Sequence, residues 1–239
     1  MCIRDRDLER AALQVIDALE SPTNRVVNLA LTQASIPGPS IRDLEVLLKQ
    51  LIDSSGFDGT VELYLKDLSS TRKIHFAYQP EGNELTPNIA FSSWSTVKIP
   101  VMISAFREME EPYQPEYLVL MEEMIEQSEN SSTDELAMAV LDQNLSPIIV
   151  SEDMQRLGLE NTFWAGHFYF GAPLLQRFET PANQREDIST DPDIYNQTTP
   201  AEMGMLMEDI YQCAELDGGA LIAAFGDEIT QQEAHLLGK

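Results

Sequence analysis

Residues 91–102 read Phe-Ser-Ser-Trp-Ser-Thr-Val-Lys-Ile-Pro-Val-Met. Apolar side chains at Val97, Ile99, Val101, Met102, Ala105 and Phe106 predict a buried helix that Ser95 opens. Ser92 or Ser93 is its expected cap, and Pro100 falls early in it, where losing one N–H costs least. On a helix, residues three apart share a face, so Ser95 and Lys98 set a hydroxyl beside an amine. A serine hydroxyl is a poor nucleophile at neutral pH and needs a base within hydrogen-bond reach. Burial disfavours the ammonium form and would let Lys98 take that proton. Free N–H groups at the start of the helix would face a developing oxyanion.

By itself Ser-x-x-Lys is a weak signal, arising by chance roughly once in a few hundred residues at average composition. Ser70-Thr71-Arg72-Lys73 has the same form. That copy falls in a polar turn between two alternating stretches, 60–66 and 74–78. Val61, Leu63 and Leu65 face one side of the first, and Ile74, Phe76 and Tyr78 repeat the pattern in the second. The pair predicts a hairpin with one buried face, so Ser70 and Lys73 are expected in solvent. Before the hairpin, Leu44, Leu47, Leu48, Leu51 and Ile52 form one face of a helix that Gly56 can end.

Downstream of Lys98, a helix is expected from about Tyr117 to Gln127. Ser128-Glu129-Asn130 follows, and Ser132-Thr133-Asp134-Glu135 has the form of a capping box that starts the next helix. The tripeptide is therefore expected in a tight loop, with Ser128 in hydrogen-bonding reach of the Ser95–Lys98 pair. A second serine there could pass a proton to a leaving nitrogen, and Asn130 could hold a substrate amide. Without the Ser95 motif the same tripeptide reads as an ordinary polar loop. Further on, Thr199 is an expected helix cap, with Pro200 in the first turn and Glu202 closing a capping box. Met203, Leu206, Met207 and Ile210 are the expected buried face of that helix.

Segment 91–102 resembles the nucleophile segment of class A β-lactamase-like serine hydrolases. That group shares Ser-x-x-Lys, Ser-Asp-Asn and Lys-Thr-Gly motifs with penicillin-binding proteins. Ser128-Glu129-Asn130 resembles the second motif with Glu in place of Asp, and Thr198–Ala201 resembles the start of a later family helix. The resemblance covers residues 41–239. It implies an α/β plus all-α architecture of β-lactamase-like fold, with the C-terminal strands missing. It also implies acyl transfer from an amide or ester to Ser95 followed by hydrolysis, without a cofactor or metal. The substrate would be a small-molecule or peptide-like acyl donor, met in the periplasm or outside the cell. D-Ala-D-Ala peptidase-like or esterase activity on the same fold stays open, as does a degenerate domain that binds peptidoglycan-like ligands without turnover.

The pattern also departs from the family. No Lys-Thr-Gly occurs, and after Lys98 the one lysine is Lys239. The resemblance implies that the chain stops before that strand, so negligible hydrolysis and low solubility are expected of residues 1–239. Arg177-Phe178-Glu179-Thr180-Pro181-Ala182-Asn183 resembles the family loop whose glutamate activates water. It lies later after Ser128 than the family spacing implies, so Glu179 remains either a water activator or a solvated loop carboxylate. The stretch from Ser95 to Ser128 is short, which implies a trimmed helical subdomain and a more open cleft.

Composition narrows the partners. Forty acidic residues against fifteen basic ones give a formal charge of −25 over 239 residues. Such a surface repels phosphate backbones and anionic lipid, which argues against nucleic acid and membrane partners. At 43% hydrophobic and 23% charged, the chain can bury a sizeable core. No apolar run is long enough to span a bilayer, and no secretion signal opens the chain. Residues 1–6 read as a sequencing or cloning scar, 7–40 as an appendage and linker broken by Pro37-Gly38-Pro39, and 41–239 as the hydrolase domain. Cys2 and Cys213 make no ligand cluster, and His75, His167 and His235 stand alone. Trp94 is expected in the core or the cleft wall, and Met203, Met205 and Met207 in helix packing.

Overall fold

Leucines at helical spacing produce helix α1, Ile41–Ser54. Ser40 and Asp43 close its start, with Asp43 N donating to Ser40 Oγ and Ser40 N to Asp43 Oδ2. Gly56, at φ 75°, takes the left-handed conformation just past its end. The structure is a computed structural model and describes residues 40–237. The expectations for residues 1–39 lie outside the described residues.

The expected hairpin forms as β1 (Val61–Lys66) and β2 (Lys73–Gln79), and β3 (Asn83–Leu85) extends it to an antiparallel sheet ordered β1-β2-β3. Val61, Leu63 and Leu65 pair with Tyr78, Phe76 and Ile74, which are all buried. Lys49 of α1 lies 5.0 Å from the centre of the Phe76 ring, and Tyr78 donates its hydroxyl to Asp53 at 3.0 Å. No residue of α1 is buried, and Leu47 and Leu51 are 56% and 64% exposed.

The chain then forms β4 (Phe91–Ser92), a 3-10 turn (Trp94–Val97) and helix α2 (Lys98–Glu108). Every residue of α2 from Pro100 to Phe106 is buried. A helix apolar nearly all round must lie inside the domain. It packs among α3 (Pro115–Glu126), α4 (Asn130–Val140) and α5 (Ser146–Arg156). A second small sheet, ordered β4-β6-β5, joins β4 to β6 (Asn196–Thr198) and β6 to β5 (Phe163–Trp164). Helices α6 (Pro200–Leu216), α7 (Ala220–Phe225) and α8 (Gln231–Leu237) follow. Among the described residues no helix is long and apolar enough to cross a membrane.

Several local expectations are corrected. Neither Ser92 nor Ser93 caps the 3-10 turn: Ser93 Oγ donates to Asn196, and Ser92 Oγ accepts from Asp193 N. Tertiary partners outcompete the local cap. Helix α4 begins at Asn130, so Ser132–Glu135 lies inside it rather than at its start, and Ser132 Oγ donates to Glu123. Trp94 is not core; it is 78% exposed. The face of β1 expected in solvent instead meets α6, where Lys66 pairs with Glu208. In α6, Leu206 and Ile210 are buried, but Met207 is 46% exposed and Cys213 and Ala214 complete the inner face.

Thr199 does cap α6, accepting from Glu202 N, and Pro200 takes the first turn. The reciprocal half of the expected capping box is missing. The buried Glu202 carboxylate instead accepts from Asn161 N at 2.9 Å and from Thr162 Oγ at 2.6 Å. It thereby ties the start of α6 to the approach of β5.

Gly204 is where α6 rests on the sheet. A Cβ there would lie 2.4 Å from Cδ1 of Tyr64. In an open helix, Gly→Ala gains up to about 1 kcal/mol. Overpacking reverses that sign here: Gly204→Ala should lower stability by about 1–3 kcal/mol in urea unfolding. The cost should vanish when the same substitution is made in a Tyr64→Ala background.

Candidate active site

Pairing of β4 with β6 sets Ser92 opposite Gln197 and brings Asn196 beneath the turn that carries Ser95. Asn196 holds that turn from its backbone and its side chain. Its carbonyl accepts from Ser93 N at 3.3 Å, and its Oδ1 accepts from Ser93 Oγ at 2.8 Å and Trp94 N at 2.9 Å. So gripped, Trp94 adopts φ 50°, unusual for a bulky residue. Thr96 N donates to Ser93 O. Among the described residues the Ser95 N–H then has no hydrogen-bond acceptor, and Ser95 itself is exposed.

Lys98 is 2% exposed, although its ammonium would prefer water. Its Nζ donates to the backbone carbonyl of Ser128 and to Ser128 Oγ at 3.1 Å. Ser128 Oγ is 2.8 Å from Ser95 Oγ. The amine therefore reaches Ser95 Oγ through the Ser128 hydroxyl. Ser128 attains this position at φ 59°, in the left-handed region. Burial pulls the Lys98 pKa below the usual lysine value, opposed by the negative charges of Glu129 and Asp134.

Asp134 is the support that sequence reasoning assigned to a helix cap. Buried in α4, its carboxylate accepts from Phe168 N at 2.9 Å and Tyr169 N at 2.8 Å. Burial raises its pKa. The neighbouring His167 is pushed down by burial and shares a 2.9 Å hydrogen bond with Ser146. Phe168 in turn places its ring 5.6 Å from Lys98 Nζ. No sequence signal marked Asn196 or Phe168, because each acts across a long chain separation. A carboxylate at an inward position of α4 was the one legible hint for Asp134.

Ser95, Lys98 and Ser128 are thus brought together. Asn130 is the first residue of α4, two positions from Ser128, and is exposed. Glu179 is exposed in the long connection 165–195. That connection is pinned nearby, where Phe178 stacks on Phe163 at 4.7 Å and Asn183 Nδ2 donates to Gln197 at 2.9 Å. Among the described residues no hydrogen bond or ion pair joins Glu179 to Ser95, Lys98 or Ser128. Ser70 donates instead to Asp67 in the β1–β2 turn, and Lys73 is exposed. Among the described residues no group of three or more His, Cys, Asp or Glu could hold a metal ion.

No protein-family model matches this chain, and no curated protein matches its sequence. Solved structures do. A β-lactamase from Desulfarculus baarsii is 15% identical with a TM-score of 0.50, over 81% of this chain and 66% of that one. A β-lactamase from Streptosporangium roseum is 15% identical with a TM-score of 0.48, covering 80% and 66%. An ancestral class A β-lactamase is 16% identical with a TM-score of 0.45, covering 82% and 69%. The first likeness shows the expected fold, a β-lactamase-like α/β plus all-α architecture. The chain spans a little under two thirds of the length of the first two structures.

Burying Lys98 has a consequence for stability. A lysine pKa lowered by folding marks an ammonium that the folded state disfavours. That cost is present in full below the folded pKa, shrinks as pH rises through it, and is gone above the unfolded value of 10.5. Lys98→Met should therefore raise the urea midpoint at pH 7, by the equivalent of about 1 kcal/mol. The gain should fade as pH approaches 10.5. A lower midpoint at pH 7 would show that the Ser128 contacts outweigh the burial cost.

Proposed function

We propose that Ser95, Ser128 and Lys98 form an acyl-transfer site that opens amides or esters through a covalent Ser95 intermediate. The observation that carries this is Ser128 Oγ, which contacts the nucleophile at 2.8 Å and the amine at 3.1 Å. Neutral Lys98 Nζ takes the Ser128 proton as Ser128 Oγ takes the Ser95 proton, and Ser95 Oγ attacks the substrate carbonyl. The free Ser95 N–H supplies a donor to the oxygen that becomes negative. Run in reverse, the relay returns the proton to the leaving nitrogen or oxygen as the carbonyl bond to it breaks. A depressed lysine pKa suits this role, since only the neutral amine can accept. Asn130, exposed beside Ser128, is assigned to the substrate amide.

β-Lactamase-like amide hydrolysis is the first reading, and D-Ala-D-Ala peptidase-like or esterase activity uses the same array. Incubation of the full chain with a fluorescent penicillin and with p-nitrophenyl acetate, followed by intact-mass measurement, tests it. One acyl unit is expected on the wild type and none on Ser95→Ala, with Ser128→Ala acylating about 100-fold more slowly. An adduct that survives in Ser95→Ala, or none with either reagent, would overturn the assignment.

Water must then release the acyl group. Glu179 is proposed as the base that activates it, on the loop resemblance and its freedom from ion pairs among the described residues. Glu179→Gln should leave the acylation burst intact and slow the steady state by about 100-fold. An unchanged steady state would assign deacylation to the Lys98 relay alone.

A further inference from the structure

Beside the relay amine the chain displays aromatic side chains to water. Phe168 lies 5.6 Å from Lys98 Nζ, and the next two residues, Tyr169 and Phe170, are 49% and 106% exposed. Phe170 is no more than about 7 Å of backbone from Phe168. Large apolar side chains displayed together mark places where something apolar binds.

The segment is held stiffly from behind. Buried Asp134 accepts from the N–H groups of both Phe168 and Tyr169. Tyr169 stacks on buried His167 at 5.7 Å, and Phe168 leans on buried Trp164 at 5.6 Å. The turn then closes with Ala172 N donating to Tyr169 O, past Gly171 at φ 83°. Nothing in this frame needs Phe170 to be aromatic, since its ring touches water alone. A rigid backbone that presents aromatic area has already met the ordering cost of binding.

We propose that the Tyr169–Phe170 turn is the specificity wall of the Ser95 site, and that its substrates are acyl donors with an aryl or similarly flat apolar group near the scissile carbonyl. This rests on the acyl-transfer assignment of Ser95. Sequence position supports the same conclusion, because the turn belongs to the connection between β5 and β6, and β6 pairs with β4, the strand that leads into the Ser95 turn. Its aromatic residues are thereby fixed relative to Ser95 rather than carried on an independent arm.

Two boronic acids test this without requiring turnover. Phenylacetamidomethylboronic acid and acetamidomethylboronic acid differ by one ring. In each, Ser95 Oγ adds to boron and yields its proton to the relay, giving an anionic tetrahedral adduct. With the full chain, calorimetry should find the aryl compound roughly tenfold tighter, the scale of one aromatic contact. Phe170→Ala should erase that preference while leaving the acetamido affinity within about twofold. Thermal unfolding of the variant should be unchanged, because the ring is wholly exposed. Equal affinities in the wild type, or a preference that persists in Phe170→Ala, would overturn the wall and leave the acyl-transfer site standing. Failure of both compounds to bind, or binding that survives in Ser95→Ala, would instead overturn the Ser95 assignment and the wall with it.

Discussion

Lys98 occupies a position where a lysine is costly to keep. The helix that carries it is buried along almost its whole length, and the amine itself is 2% exposed. It stays there because Ser128, thirty residues away, bends through a left-handed conformation and offers both its carbonyl and its hydroxyl. That contact connects α2 to the α3–α4 corner and links the amine to Ser95 through the Ser128 hydroxyl. Burial lowers the Lys98 pKa. The arrangement is one that stability alone would not favour.

Around this pair the scaffold repeatedly uses polar groups whose partners are far away in sequence. Asn196 grips the Ser95 turn from 103 residues downstream, Glu202 anchors the approach to β5 from 41 residues downstream, and Asp134 holds the aromatic turn 34 residues on. Each is a buried polar side chain that accepts hydrogen bonds from another element. Such contacts fix orientation more than they add stability, because an alternative packing would leave them unpaired. The exposed Ser95 hydroxyl and the stiff Phe168–Phe170 turn both rest on that orientation.

Much of this was legible in the residues. Apolar spacing marked α1, α2 and the β1–β2 hairpin, and Thr199-Pro200 marked the start of α6. The errors share a cause. Ser93, Ser132 and Glu202 all fit local capping patterns, and all three bond elsewhere, to Asn196, Glu123 and Thr162. A capping motif states what a side chain can do for its own turn, and a buried distant partner offers a stronger contact because it excludes water. Of the two places expected for Trp94, the core is ruled out: the grip of Asn196 on its backbone turns the chain and leaves the ring outside.

By itself the sequence determined whatever lies within one helical turn or one strand. Ser95 and Lys98 share a neighbourhood because three residues span one turn, and α2 is central because its apolar residues leave no side for water. Ser128 was expected within reach of that pair, and tertiary structure set its Oγ 2.8 Å from Ser95 Oγ; tertiary structure alone decided that Asp134 would hold an aromatic turn beside the amine. It also left Glu179 in solvent without a bond to the cluster, where loop spacing alone had left its role open. The physical reason is range. Backbone periodicity carries direction for a few residues, whereas contacts across thirty or more depend on how loops close and which buried polar groups find partners.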